Sequence, residues 1–216
     1  MVAKIAGSRS IKSTLNYNEQ KVTRGIAHCL YAHNFLKDAD ALSFYEKLHR
    51  FEALNELNKR VVANCVHISL NFAAGEMISG ERLSEIALVY MQKIGFGDQP
   101  FLVYQHMDAG HPHLHLLTTT IQKDGSRISL HNLGKNESIR ACREIEIAFG
   151  LTRAEKQKKY INEKLDPARV QKIRYGRMPL KRAITEVLDA VLPRYRYASL
   201  ADLNAVLKLY NVVADK

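Results

Sequence analysis

An α+β domain, an antiparallel sheet with helices packed on one face, is the fold class that this 216-residue chain predicts. Three observations lead there. The segments run strand, helix, strand, helix, hairpin, strand, helix, an order that suits an antiparallel sheet carrying helices. Turn chemistry at Asp108-Ala109-Gly110 separates two apolar, alternating stretches, which is the pattern of a β-hairpin. The length allows one generous domain with a substantial core, and neither repeats nor low-complexity segments interrupt it. The sheet face away from the helices, or part of it, is left to carry a group of histidines.

Taken in order, residues 2–6 (Val-Ala-Lys-Ile-Ala) read as a short strand, interrupted by Gly7-Ser8 and the basic Arg9 and Lys12. From Ile11 to His28 the spacing is helical, with Leu15, Val22, Ile26 and Leu30 at the apolar positions. Tyr17 lies in the polar stretch Asn16 to Lys21 and does not read as core. Residues 39–59 place Leu42, Tyr45, Leu48, Leu54 and Leu57 among charges, an amphipathic helix. Residues 60–70 are rich in β-branched side chains and predict a central strand. Ser79-Gly80-Glu81 opens a helix through Ile86, Val89, Tyr90 and Ile94, which Gly95 and Gly97 close. After the hairpin, Asp124-Gly125 turns the chain into a short strand at residues 127–130, followed by helices over 135–149 and 152–165. The last part is basic and helical, over 180–191 and, behind a Ser199 cap, 203–209.

The hairpin carries the chemistry. Side chains on a strand alternate faces, so His111, His113 and His115 point one way and Leu114 and Leu116 the other. Folding at residues 108–110 sets His106 beside His113 and Tyr104 beside His115. Four of the nine histidines fall within ten residues, and such convergence predicts a metal site. Imidazole suits Zn, Mn, Fe, Co or Ni better than Ca or Mg, and three neutral ligands leave positions open, as in catalytic sites. None of the three cysteines is near, which argues against a thiolate-rich structural site.

Composition narrows the partners. Apolar residues at 46% and charged residues at 25% describe an ordinary globular chain, but the net charge of +10 does not. It favours a polyanion, nucleic acid ahead of an acidic membrane. Lys172, Arg174, Arg177, Lys181, Arg182, Arg194 and Arg196 are interleaved with Tyr175, Tyr195 and Tyr197, a pattern suited to phosphates and unstacked bases as well as to a solvated face. Cys29, Cys65 and Cys142 are odd in number and widely spaced, which points to reduced thiols in the cytoplasm. Neither a signal peptide nor a membrane-spanning run is evident, so membrane insertion is not expected.

The spacing His106-x-Asp108-x4-His113-x-His115, with Pro112 ahead of the pair, resembles the third motif of plasmid mobilization relaxases in the HUH endonuclease superfamily. A strand followed by Gly-Ser-Arg-Ser and Leu15-Asn16-Tyr17 is similar to the family's first motif. The resemblance covers about residues 3–151, with a weaker echo in the last two helices. It implies a ferredoxin-like catalytic palm over 1–151, with 152–216 a basic helical extension of the same domain. It also implies metal-dependent, site- and strand-specific cleavage of single-stranded DNA at an origin of transfer, through a 5′-phosphotyrosine. Carried over, His106, His113 and His115 match the ligands of a divalent ion, Mn or Mg with Zn as a further choice. Tyr17 matches the nucleophile and Asp108 the acidic residue, which would accept or orient a ligand's proton. His111 has no counterpart. Thr118, Thr119 and Thr120 stand where many members have an Asn that orients substrate.

Expected DNA contacts fall on Arg9, Lys12, Arg127, Lys172, Arg174 and Arg177. Accessory mobilization proteins and a coupling protein are the implied partners. Two rivals remain. Replication initiators of the superfamily place their Tyr on a helix after the histidine pair, which would make Tyr160 the nucleophile, and some relatives use a histidine, for which His28 and His33 are candidates. A non-catalytic, metal-stabilised DNA-binding module is the other.

Overall fold

The computed structural model describes residues 1–154, 180–192 and 195–215, and within the first of these a five-stranded sheet organises everything else. In chain order its elements are β1 (Val2–Ser8), α1 (Ile11–Thr23), β2 (Ala27–His33), α2 (Phe44–Asn55), β3 (Cys65–Asn71), α3 (Gly80–Lys93), β4 (Phe101–His106), β5 (His113–Thr119) and α4 (Glu137–Ala148). The strand order is β1-β3-β5-β4-β2 and every neighbouring pair is antiparallel. This is the α+β palm that the sequence predicts.

The helices lie on both faces, however, not on one. Val66, Ile68, Leu70, Val103, Leu114 and Leu116 form one core with Leu83, Ile86 and Tyr90 of α3 and Ala141 and Ile145 of α4. Cys65, Leu102, Tyr104 and Leu117 point the other way and form a second core with Ile11 and Leu15 of α1 and Leu48 and Phe51 of α2. The physical reason is that α1 and α2 each carry an apolar stripe that must be buried, and the sheet's second face is the surface that buries it. They cover only part of that face, and the histidines occupy the rest.

Three elements differ from the sequence prediction. The helix expected over 11–28 stops at Thr23, because Gly25 takes φ 71° and turns the chain into β2. Ile26 and Leu30 continue a helical spacing by coincidence, and the edge strand behind them was hidden by it. The short strand expected over 127–130 is reduced to a single bridge between Ile121 and Arg127. The helix expected over 39–59 starts later, at Phe44, where Ser43 and Glu46 cap each other's backbone reciprocally.

Contacts cluster into two compact units, Met1–Ala154 and Glu155–Lys216. Within the second, α5 (Leu180–Val191) and α6 (Leu200–Leu207) share a small core of Val187, Val191, Leu207 and Val212. Ser199 caps α6 by accepting from the Asp202 amide, as its sequence suggests. Among the described residues no helix is long and apolar enough to cross a membrane. The helix expected over 152–165, with Tyr160, falls almost wholly outside the described residues, as do Lys172, Arg174, Tyr175 and Arg177.

Candidate active site

Hairpin register brings the histidines together. His106 pairs with His113 and Tyr104 with His115, the register that a turn at 108–110 dictates. On this face the row continues downward into Tyr104, Leu102 and Leu117, so the imidazoles sit directly above a packed core. The rings of His106 and His115 stack with centroids 4.0 Å apart, and His113 meets both edge-on at 5.5 and 5.3 Å. One ligand atom from each of the three lies within 4.8 Å of the others. A donor set of three imidazoles in that compass fits a divalent transition-metal ion with positions left for substrate or water.

Helix α1 supplies the remaining groups. Ser10 caps its start by accepting from the Ser13 amide, which fixes the helix just after β1 and sets Tyr17, Asn18 and Lys21 over the histidines. The Tyr17 ring centroid is 6.1 Å from that of His106, 6.3 Å from His67 and 6.4 Å from His115, and Tyr17 is 45% exposed. Tyr17 rides within α1, as the helical spacing from Ile11 predicts. Asn18 is fully buried, donates to the Thr14 carbonyl and offers its Oδ1 to His106 Nε2 at 2.9 Å. Lys21 Nζ lies 4.6 Å from the Tyr17 ring centroid, 2.6 Å from Asp108 Oδ2 and 3.3 Å from His106 Nδ1.

These contacts fix protons. An ammonium can only donate, so His106 Nδ1 accepts from Lys21 and the Nε2–H donates to Asn18. His113 Nδ1–H donates to the His111 carbonyl at 3.2 Å, and its Nε2 lies 3.4 Å from Asp108 Oδ1. Asp108 thus faces both Lys21 and the imidazole cluster. Burial, then the Lys21 charge, lowers the His106 pKa to about 4. Burial and the neighbouring imidazoles lower that of His115 to about 2, so both are neutral at neutral pH, the form in which an imidazole can ligate a metal. Burial pulls the Lys21 pKa down, but hydrogen bonds to Asp108 and Tyr17 outweigh it and leave it above its ordinary value. Those same contacts with Lys21 overcome burial at Asp108 and keep its pKa below its ordinary value.

Beneath Tyr17, Glu19 accepts from the nearly buried Lys47 at 2.8 Å and from the Tyr104 hydroxyl, tying α1 to α2 and β4. His111 stands beside the cluster, its Nε2 3.3 Å from Asn71 Oδ1. His28 pairs opposite Gln105, one residue out of phase with His106, and so faces the other side of the sheet. His33 stacks on Phe101 and contacts the Gly97 carbonyl at the far end of β2. Thr118 and Thr119 are buried and bonded to Pro100 and Asn55, structural tasks rather than substrate contacts. Arg9, Lys12 and Arg127 are exposed.

Sequence reasoning missed Asn18, Lys21 and His67 as site residues. His67 Nε2 lies 2.8 Å from His115 Nδ1, with the two rings stacked at 4.8 Å. The available signal was alternation in β3, where Cys65, His67, Ser69 and Asn71 share one face with His115 and His113.

A family model described as relaxase, MobA/VirD2-like, nuclease domain matches residues 17–151, from the tyrosine through both histidine strands to the end of α4. A search of curated proteins finds no match. Because the matched span takes in most of the chain and every residue of the histidine cluster, the chain belongs to the MobA/VirD2-like relaxase nuclease family.

Proposed function

We propose that this relaxase is a metal-dependent, site- and strand-specific transesterase that nicks single-stranded DNA at an origin of transfer through a 5′-phosphotyrosine on Tyr17, initiating conjugative mobilization. A relaxase-type DNA-nicking function follows from family membership. The finer reading is carried by one observation: a half-exposed tyrosine ring within 6.4 Å of the two ligand imidazoles His106 and His115. His106, His113 and His115 would hold the ion, Mn or Mg. When bound, it would supply Lewis-acid stabilisation of the charge that builds on the phosphate oxygens.

The chain's own residues do the rest. Tyr17 Oη attacks phosphorus, the Tyr–phosphate bond forms, and the bond to the 3′-oxygen breaks, leaving a free 3′-hydroxyl. A phenol is a slow nucleophile at neutral pH, and the Lys21 ammonium, 4.6 Å from the Tyr17 ring centroid, places a positive charge beside the point where the phosphate would be attacked. Asp108 holds Lys21 in place. Retention of the phosphoryl group in a covalent bond lets the strand be rejoined, which suits transfer. Arg9, Lys12 and Arg127, with Lys172, Arg174 and Arg177 of a basic extension over 152–216, would grip the strand's phosphates. Accessory mobilization proteins and a coupling protein would complete the machinery in the cytoplasm.

The test is incubation with labelled single-stranded oligonucleotides and Mn, followed by mapping of an SDS-resistant adduct. Tyr17→Phe should abolish the adduct, a loss of more than about 10⁴-fold, while Tyr160→Phe retains it. The reverse pattern would assign the chain to replication-initiator chemistry. Tight binding with no adduct in any variant would leave a non-catalytic module.

A further inference from the structure

We propose that His67 is a positioning residue for the metal centre: its Nε2 accepts the Nδ1 proton of His115 and so turns His115 Nε2 toward the ion. This rests on the metal-centred reading above and adds a residue to it. The geometry is specific. His115 Nδ1 and His67 Nε2 are 2.8 Å apart, and the two rings are nearly parallel, with centroids 4.8 Å apart and an interplanar angle of 22°. Two imidazoles bonded nitrogen to nitrogen need one donor and one acceptor. A ligand imidazole coordinates through its lone pair and must therefore be the donor at its other nitrogen. His115 is then the donor and His67 the acceptor.

The same logic already governs the other two ligands. Asn18 Oδ1 stands behind His106 Nε2 at 2.9 Å, and the His111 carbonyl stands behind His113 Nδ1 at 3.2 Å. Each of the three imidazoles thus has an acceptor at one ring nitrogen; an ion at His106 Nδ1 would take the lone pair that Lys21 now meets, and without His67 the third imidazole would have no such acceptor among the described residues. Such acceptors fix the tautomer and ring orientation and raise ligand basicity, and removing one typically costs about 10–100-fold in metal affinity. His67 is suited to the task by the sheet. It lies on β3 diagonally across from His115, which pairs with Ser69, and is partly buried over the second core. Its own ligand atoms fall outside the group of three that converge within 4.8 Å, so it stands behind the ligands and is not one of them.

The experiment uses the full chain with His67→Leu and His67→Gln. Mn binding is measured by calorimetry, and the His115 tautomer of the chelated protein by ¹⁵N imidazole NMR. His67→Leu should bind Mn about 10–100-fold more weakly. It should also lose the single Nδ1-protonated form of His115, at a melting temperature within a few degrees of wild type. His67→Gln, whose side-chain oxygen can reach the same place as Nε2, should return Mn affinity to within a few-fold of wild type. Wild-type affinity and tautomer in His67→Leu would overturn the proposal. So would a His67→Gln variant as weak as His67→Leu, which would make His67 a ligand. Failure of the wild type to bind Mn, or binding that survives His113→Ala, would instead overturn the metal-centred reading itself.

Discussion

The two faces of the sheet are made from the same strands and do opposite work. On β5, Leu114 and Leu116 are fully buried against α3 and α4, while His113 and His115, one residue away along the same backbone, point to the face beneath α1. The first face is an apolar core across β1, β3, β5 and β4, and gives way to the polar His28 and Gln105 only toward the β2 edge. The second is a core only where α1 and α2 press on it, and beyond Tyr104 it turns into a polar cluster in which every imidazole has a named partner. What separates core from site is therefore not depth, since His106 and His113 are 2% and 6% exposed. The difference is whether a buried position finds apolar neighbours or hydrogen-bond partners.

Substitutions at adjacent positions should pull the two faces apart. His113→Ala should lower the nicking rate on the order of 10³-fold and abolish Mn binding, with little change in melting temperature, because its Nδ1 partner is a loop carbonyl. Leu114→Ala should do the reverse. It empties a fully buried position in the first core and should cost about 2–5 kcal/mol of unfolding free energy, while the folded fraction nicks at a near wild-type rate. Chemical denaturation and single-turnover nicking, run on both variants, decide the matter. An equal loss of stability in the two would mean that the faces are not separable.

The same alternation explains what the sequence could disclose. His106, His113 and His115 were legible because strand period and turn position together fix which residues face each other, and the observed register is the one that a turn at 108–110 demands. His67 was not, since a lone histidine in a β-branched strand reads equally well as a satisfied core residue. Only the pairing of β3 with β5, a contact across 48 residues, brings it to His115. Asn18 and Lys21 were hidden for a similar reason: their meaning depends on where α1 crosses the sheet. The second layer of helices was missed because the amphipathic stripes of α1 and α2 tell that they must be buried, not against which face. The edge strand β2 was lost to an accidental helical spacing, although Gly25 marks the stop.

At the border between core and site on the second face, Lys47 is 4% and Glu19 20% exposed, an ion pair at 2.8 Å joined by the Tyr104 hydroxyl. Lys47→Met should leave the Glu19 carboxylate short of its cation and cost about 2–3 kcal/mol, less than a fully enclosed pair because Glu19 reaches solvent. Glu19 is two residues from Tyr17 on α1, so nicking should also slow by several-fold in the folded protein. A variant that is neutral in both assays would show that α1 is held by Ile11 and Leu15 alone, as the purely apolar face is held.

The smallest effect separates the faces by pH. In chelated protein His106 and His115 stay neutral well below 6.5, with pKa values of about 4 and about 2, burial being the main cause in each. Unfolded, both titrate near 6.5, so between 6.5 and the folded values the unfolded state binds more protons and stability falls as pH falls. The contribution is full above 6.5 and is lost progressively below it, down to about 4 for His106 and further for His115. From pH 7 to 6 the pair should contribute a loss of about 1 kcal/mol, in a range where ordinary carboxylates do not titrate. Denaturant midpoints at the two pH values should show that slope in wild type and in Leu114→Ala alike, and a flatter one in a His106→Gln, His115→Gln double variant. If the double variant keeps the wild-type slope, the proton-linked destabilisation lies elsewhere in the chain, and the histidine face is no more pH-sensitive than the apolar one behind it.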